Sequence, residues 1–510
     1  MKRTAFAFAS CALTLGLPAV AQAATAVYPG CAVPALKAGH HTFYVDPAKG
    51  SAAGDGSAAK PWKTLAEVLV PDGKLLSTQV HKKVGGVDPL SSANPNGPIK
   101  AGDVIMLMSG NHGVVTVRNA FNTDFVTVMA APGQTPVISQ LFMMSAANWA
   151  FQGIKFQGED PASVSPPVNI ANRDGANMIS LGGGEWQGTS SNIVFTGDTF
   201  STTDDVSAWS AKDWLLKPYR TTMQIKSPTC TSVTASRFYN VLDALYIGAD
   251  KALVQGNTFE KFANDGIDTA ASDVIIKSNT IRDNVSPSAI NPWHPDGIQG
   301  WSKIGSSGPI RNTNVMIDSN TVIKTGDPDT SWMQGISIFD GLWQGLTIQN
   351  NVVVANGFHG ISVYGASGLR ILNNTVVASA PSKQVSWIRV DPMKGGTHSQ
   401  DVIVRNNTAP TLYMNDTNIT YDHNVIGGNY TALVSSKLIG INQTNTALSN
   451  IIIPTLTSQF VTLDNVKGAY DLRLRSGSNL IGAGSSLLAP TLDNAGKTRA
   501  KPTDIGAYTH

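Results

Sequence analysis

Charge is scarce in this chain: Asp, Glu, Lys and Arg make up only 14% of its 510 residues, while glycine is common at 48. That mixture suits a turn-rich all-β protein better than a helical one. Long apolar runs are also missing. Beyond the first residues no stretch approaches 18 uninterrupted apolar positions, so no later segment reads as a bilayer span. Cysteine is nearly absent. Cys31 and Cys230 remain once a leader is removed, and they could pair in an oxidising compartment, but sequence alone does not assign a bridge between partners so far apart. Neither is given a catalytic role.

Residues 1–23 read as a secretory signal, with Lys2 and Arg3, an apolar run from Ala5 to Val20, and Ala21-Gln22-Ala23 as the cleavage site. Its removal takes two bases and no acid, so 37 basic against 35 acidic residues becomes 35 of each. A neutral mature chain lacks the global positive field of a nucleic-acid-binding protein. The expectation is a secreted or periplasmic protein with no membrane partner after cleavage. Any affinity for an anionic polymer must then come from a local patch.

What the chain does have is repetition. Leu253-Val-Gln-Gly-Asn257-Thr-Phe259, Val274-Ile-Ile-Lys-Ser-Asn279-Thr-Ile281 and Val315-Met-Ile-Asp-Ser-Asn320-Thr-Val322 share one frame. Further copies centre on Asn351, Asn374, Asn407 and Asn424. A period of about 22 residues, lengthened by insertions, describes a coil with several short strands per turn. The Asn fits a turn position that tolerates left-handed backbone, and asparagines stacked in successive coils would form an amide ladder. Lys60 to Leu69 carries apolar residues at helical spacing, which predicts a short helix capping the N-terminal end. The expected organisation is 1–23 signal, 24–100 N-terminal cap region, 101–430 repeats with active-site loops, and 431–510 C-terminal rungs and cap.

A second phrase recurs within this frame: Asp265-Gly-Ile-Asp268, Asp296-Gly-Ile-Gln299, Gln334-Gly-Ile-Ser337, His359-Gly-Ile-Ser362 and Ser386-Trp-Ile-Arg389. Aligned by rung, its first position forms a column of Asp243, Asp265, Asp296, Gln334, His359 and Ser386. Its fourth position gives Tyr246, Asp268, Gln299, Ser337, Ser362 and Arg389, and Trp301, Phe339 and Tyr364 align two places further. Coils about 4.8 Å apart would bring these groups onto one face. An Asp before Gly is an ordinary turn residue when met singly. Aligned in adjacent coils, however, carboxylates raise one another's pKa or need a cation. Long insertions around the same rungs bring His294, Trp301, Lys303, Trp332, Lys394 and His398 toward the face, as loops on a rigid repeat build the walls of a cleft.

The Asn rungs, over roughly residues 100–430, resemble the right-handed parallel β-helix of secreted pectin- and alginate-active proteins. The resemblance implies an all-β solenoid and does not by itself fix the reaction. Asn264-Asp-Gly-Ile-Asp268, Phe358-His-Gly-Ile-Ser362 and Ile388-Arg389 look like active-site rungs of the polygalacturonases. That family's paired carboxylate is Pro295-Asp296 here, which removes a group that inverting hydrolysis needs. His294-Pro-Asp-Gly-Ile-Gln-Gly-Trp301 followed by His359-Gly-Ile is similar to bacterial alginate and polyuronate lyases. The Asp-Pro-His-Asp signature of mannuronan epimerases is absent.

Lyase chemistry needs a group that neutralises the uronate carboxyl, a base for the C5 proton and an acid for the departing oxygen. Arg389, or Ca²⁺ held by Asp265, Asp268 and Asp296, suits the first role. His294 or His359 suits the second, with Lys394 a weaker base, Tyr364 a candidate acid and Asp296 part of the catalytic group. Gln299, Trp301, Lys303, Gln334 and His398 are the expected substrate-binding residues. The leading expectation is a lyase acting on an anionic, uronate-containing polysaccharide. Its alternatives are a polygalacturonase-like hydrolase, an epimerase-like enzyme or a non-catalytic polysaccharide-binding β-helix.

Overall fold

Short β-branched runs alternate buried and less buried residues, as in Val315, Met316 and Ile317, and each run pairs in parallel with its counterpart one coil away. The computed structural model describes residues 26–36, 39–158, 177–183, 186–286, 291, 293–305, 308–324, 332–379, 384–428, 449–464 and 467–510. The proposed signal lies outside these residues, as do positions 287–290 and 325–331 of the expected insertions. The architecture is a parallel β-helix with three strands per coil. Ala252–Gln255, Thr258–Phe262 and Ile267–Thr269 make one coil, and Val274–Lys277, Thr280–Arg282 and Asp296–Trp301 make the next. Equivalent strands stack into long parallel sheets, and the inward residues form one continuous apolar core. Phe156, Phe200, Phe238 and Phe259 stack in successive coils with centroids 5.1, 4.4 and 4.8 Å apart. Each such buried side chain contributes roughly 1.5–3 kcal/mol through its removal from water.

The corner between the first and second strands of each coil carries the amide ladder. The Nδ2 of Asn257, Asn279, Asn320, Asn351, Asn374, Asn407 and Asn424 each donates to the Oδ1 of the next asparagine at 2.9–3.0 Å, the last acceptor being Asn450. The same Oδ1 atoms accept the backbone N–H of the preceding ladder residue, for example Asn320 N to Asn351 Oδ1 at 2.9 Å. The left-handed backbone falls one residue earlier than the sequence suggested, at Ser278, Ser319, Asn350, Asn373 and Asn406. The preceding residue absorbs the turn, leaving the ladder asparagine free to point its amide into the corner.

The N-terminal end is closed by a single helical turn, Leu65–Val68, shorter than the predicted span because Trp62 bridges to Val45 as strand. Thr64 caps it, and Leu65 and Val68 are buried in the core. At the other end the chain turns back. Ser485, Leu492, Asp504 and Gly506 offer backbone carbonyls to Asn406, Asn350 and Asn373, so the tail runs along the outside of the ladder corner.

Candidate active site

The third strand of each coil forms the face on which the repeated phrase lies: Asp243–Ile247, Ile267–Thr269, Asp296–Trp301, Gln334–Asp340, His359–Tyr364, Trp387–Asp391 and Thr411–Met414. The glycine of the phrase is fixed by crowding between coils. A Cβ on Gly266 would lie 2.6 Å from the carbonyl oxygen of Gly297, and one on Gly335 would lie 2.2 Å from that of Gly360. The isoleucines at 267, 298, 336, 361 and 388 fill the core beneath. With those two positions committed to the scaffold, the first and fourth carry the variable polar groups.

Asp243, Asp265, Asp268 and Asp296 are all buried there. Asn264 Nδ2 donates to Asp243 Oδ1 and Asp265 Oδ2 at 2.7 Å, and Asp296 N–H donates to Asp265 Oδ1 at 2.8 Å. Arg220 Nε lies 3.1 Å from Asp243 Oδ2. Burial, then the charges of Asp268, Asp243 and Asp296, push the Asp265 carboxyl well above the usual range. Burial and the charges of Asp243 and Asp296 do the same to Asp268, against a partial opposing effect of Arg220. Three buried oxygens in this group have no hydrogen-bond partner: Asn264 Oδ1, Asp268 Oδ1 and Asp296 Oδ1. Among the described residues no three Asp, Glu, His or Cys side chains already converge as a metal cage. The unpartnered oxygens are nevertheless the hard donors that Ca²⁺ prefers.

His294 stands at the entrance, with its side chain about half exposed and Nδ1 3.0 Å from Asp296 Oδ2. That hydrogen bond, ahead of the opposing effect of burial, raises the histidine pKa. A ring whose Nδ1–H is held by a carboxylate presents its other nitrogen, Nε2, as a base once neutral. His359 is the opposite case. Burial, then the charges of Arg389 and His294, lower it to about 4. Its neighbours are Phe339 at 4.5 Å and Trp387 at 5.1 Å between ring centroids. Arg389 donates through Nε to Asp391 Oδ2 at 2.8 Å and lies over the rings of Tyr364, Trp387 and Tyr413.

The fourth-position column holds its predicted register: Tyr246, Asp268, Gln299, Ser337, Ser362 and Arg389 pair in sequence, and Tyr413 extends it. Two bulges alter the rest. A shift at Gly300/Trp301 sets Trp301 opposite Asp340 instead of Phe339, and Trp301 stacks on Tyr246 with centroids 5.7 Å apart. A shift between His359 and Ile361 brings Trp387, not Ser386, opposite His359. Ser386 turns inward and donates to the carbonyls of Ala355 and Gly357.

Other predicted residues are placed unevenly. Gln334 pairs with Asp296 and accepts from Ser337 at 3.2 Å. Lys394 forms an ion pair with Asp340 at 2.7 Å. Lys303 donates to the carbonyl of Gly248, which ties its ammonium to the scaffold. His398 is held by Asp416 at 2.6 Å, beyond the Arg389 strand. Sequence reasoning did not single out Arg220, Asn264, Asp391, Trp387 or Asp416. Asn264 and Trp387 sat inside the quoted motifs, whereas Arg220 and Asp416 belong to neighbouring coils and carry no local signal.

Residues 168–376 match the family model for the right handed beta helix region. No curated protein matches the chain. Among solved structures, a complex of XylC with xylose is 8% identical, covers 92% of this chain and 98% of its own, and superposes with a TM-score of 0.52. The A-module of mannuronan C-5 epimerase AlgE4 from Azotobacter vinelandii is 13% identical over 69% of this chain and 87% of its own, TM-score 0.42. Pectate lyase Pel9A is 15% identical over 92% and 98%, TM-score 0.40. The family match and the XylC superposition identify the fold as a right-handed parallel β-helix; at 8% identity the likeness is one of fold alone.

Proposed function

We propose that this protein is a secreted or periplasmic lyase that cleaves a uronate-containing polysaccharide by β-elimination. The observation that carries the reading is the pair of differently tuned histidines on one face: His294 held by Asp296 with a raised pKa, and His359 beside Arg389 with a lowered one. Groups whose environments push their pKa values apart take different roles in one reaction, here a base and a neutral donor that keeps its proton. His294 Nε2 takes the C5 proton of the uronate. Arg389, kept in place by Asp391, faces the carboxyl group whose charge grows as that proton leaves. The electron pair forms the C4–C5 double bond, the C4–O bond breaks, and the departing oxygen receives a proton from Tyr364. Trp301 and the aromatic cluster around Trp387 supply flat surfaces for sugar rings.

Ca²⁺ is part of the proposal. Asp265, Asp268 and Asp296 would hold it, and it would supply further neutralisation of the uronate carboxyl. The unpartnered oxygens of Asp268 and Asp296 support this role. The Cys31–Cys230 disulfide, with Cα atoms 5.6 Å apart, supports an oxidising compartment.

Incubation with alginate, polygalacturonate and glucuronan tests the reading. Elimination yields an unsaturated uronate that absorbs in the ultraviolet, together with new reducing ends. Reducing ends without that absorbance on every polymer would identify a hydrolase, and neither signal would leave a binding protein. Loss of activity on chelation, restored by Ca²⁺, is the expected outcome for the metal.

A further inference from the structure

The hydrogen bonds around His359 bear on which nitrogen carries its proton, and so on its role in the proposed elimination. Ser362 Oγ lies 2.8 Å from His359 Nδ1. Trp387 Nε1 lies 3.0 Å from that same Oγ and 3.3 Å from Nδ1. An indole N–H can only donate. If Nδ1 carried a proton, two N–H groups would face each other, and both would aim at the serine oxygen while its own hydrogen found no partner in the trio. With Nδ1 bare, Trp387 donates to Ser362, Ser362 donates to Nδ1, and every hydrogen is used. The proton then sits on Nε2, for which the described residues provide no partner. Ring packing fixes the plane: Trp387 meets His359 at 89° and Phe339 meets it at 64°.

We propose that Trp387 and Ser362 are positioning residues that lock neutral His359 in its Nε2–H form, making it a hydrogen-bond donor to the uronate carboxyl and not the base. This rests on the lyase reading for its substrate, though not for its geometry. As the C5 proton departs, negative charge builds on the carboxyl oxygens, and a fixed neutral donor stabilises that charge without giving up its proton. Desolvation and the neighbouring Arg389 keep the ring neutral at physiological pH. The proton-accepting role is left to His294, whose hydrogen bond to Asp296 orients it the other way round.

Histidine-labelled protein, observed by long-range proton–nitrogen correlation at neutral pH, tests the assignment directly. The His359 signal is identified by its loss in His359→Gln. We expect a pyridine-type Nδ1 and a protonated, pyrrole-type Nε2. Trp387→Phe keeps the aromatic packing and removes the donor. It should admit the Nδ1–H form and lower kcat about tenfold with KM little changed, as expected for a transition-state contact. Ser362→Ala should act in the same direction. A wild-type Nδ1–H signal, or a tautomer unmoved in both variants, would overturn the assignment. The spectrum needs no turnover, so a chain that forms no unsaturated uronate would overturn the lyase reading separately.

Discussion

Two stacks of short polar side chains run along this β-helix, one at the corner and one on the third face, and they meet opposite fates. Each ladder amide both donates and accepts, so the buried stack from Asn257 to Asn424 is satisfied along its length, its last amide donating to Asn450. A carboxylate only accepts. Stacked carboxylates therefore leave oxygens without partners, as at Asp268 and Asp296. Asp198 makes the same point within the corner itself. It precedes Ser236 and Asn257 in the stack, its Oδ1 accepts from Ile154, its Oδ2 has no partner, and burial pushes its pKa well up. A scaffold that solves the stacking problem with asparagine along most of one corner keeps aspartates on a face beside two histidines and an arginine, which supports the proposal that the unsatisfied polarity of that face has a use.

The largest expected effect lies on the acidic face. Arg389→Ala should lower turnover by about a thousandfold, the range for losing a main charge-stabilising donor, with Tm nearly unchanged. The ladder should respond the other way. Asn351→Leu deletes side-chain bonds to Asn374, Ile317 and Asn320 and leaves the buried amides on either side each short of a partner, so we expect a loss of about 4 kcal/mol and activity retained below the lowered Tm. Urea unfolding and turnover measured on the same preparations separate the two.

Acid titration sharpens the contrast further. The folded His359 titrates at about 4 against 6.5 for the free side chain, so the unfolded chain binds the extra proton first. Stability from this group is present above about 6.5 and lost as pH falls toward 4, by about 3 kcal/mol in all. His359→Gln should flatten that acid limb. The aspartates have the reverse sign: Asp265 and Asp268 are raised, so their contribution is present at low pH and is lost as pH rises through the folded values. The smallest effect follows from this. In chelator, Asp268→Asn should raise Tm by a few degrees at neutral pH and hardly at all in acid, and it should abolish any rise produced by added Ca²⁺.

Much of this was legible in the sequence because the coil repeats where its chemistry is fixed. The Asn frame announced the ladder, and the constant Gly-Ile announced the face, since a Cβ at Gly335 or a polar group at Ile336 would break it. The fourth-position column followed directly. What the sequence hid was local geometry. The bulges at Trp301 and at His359 shift partners by one residue, and no spacing rule signals them. Groups such as Arg220 reach the aspartates from another coil, where only the folded chain brings them within 3.1 Å. The predicted helix shrank to one turn because strand pairing claimed Trp62.

At the boundary of the acidic stack, Asp296 both belongs to the column and holds the proposed base, His294. The most direct measurement is the rate of unsaturated-uronate formation by Asp296→Asn on the polymer that the wild-type protein cleaves. The amide keeps the size of the side chain and removes its charge. We predict a rate lower by at least about a hundredfold with the fold intact; an unchanged rate would contradict the proposal that this unsatisfied stack is the reactive centre.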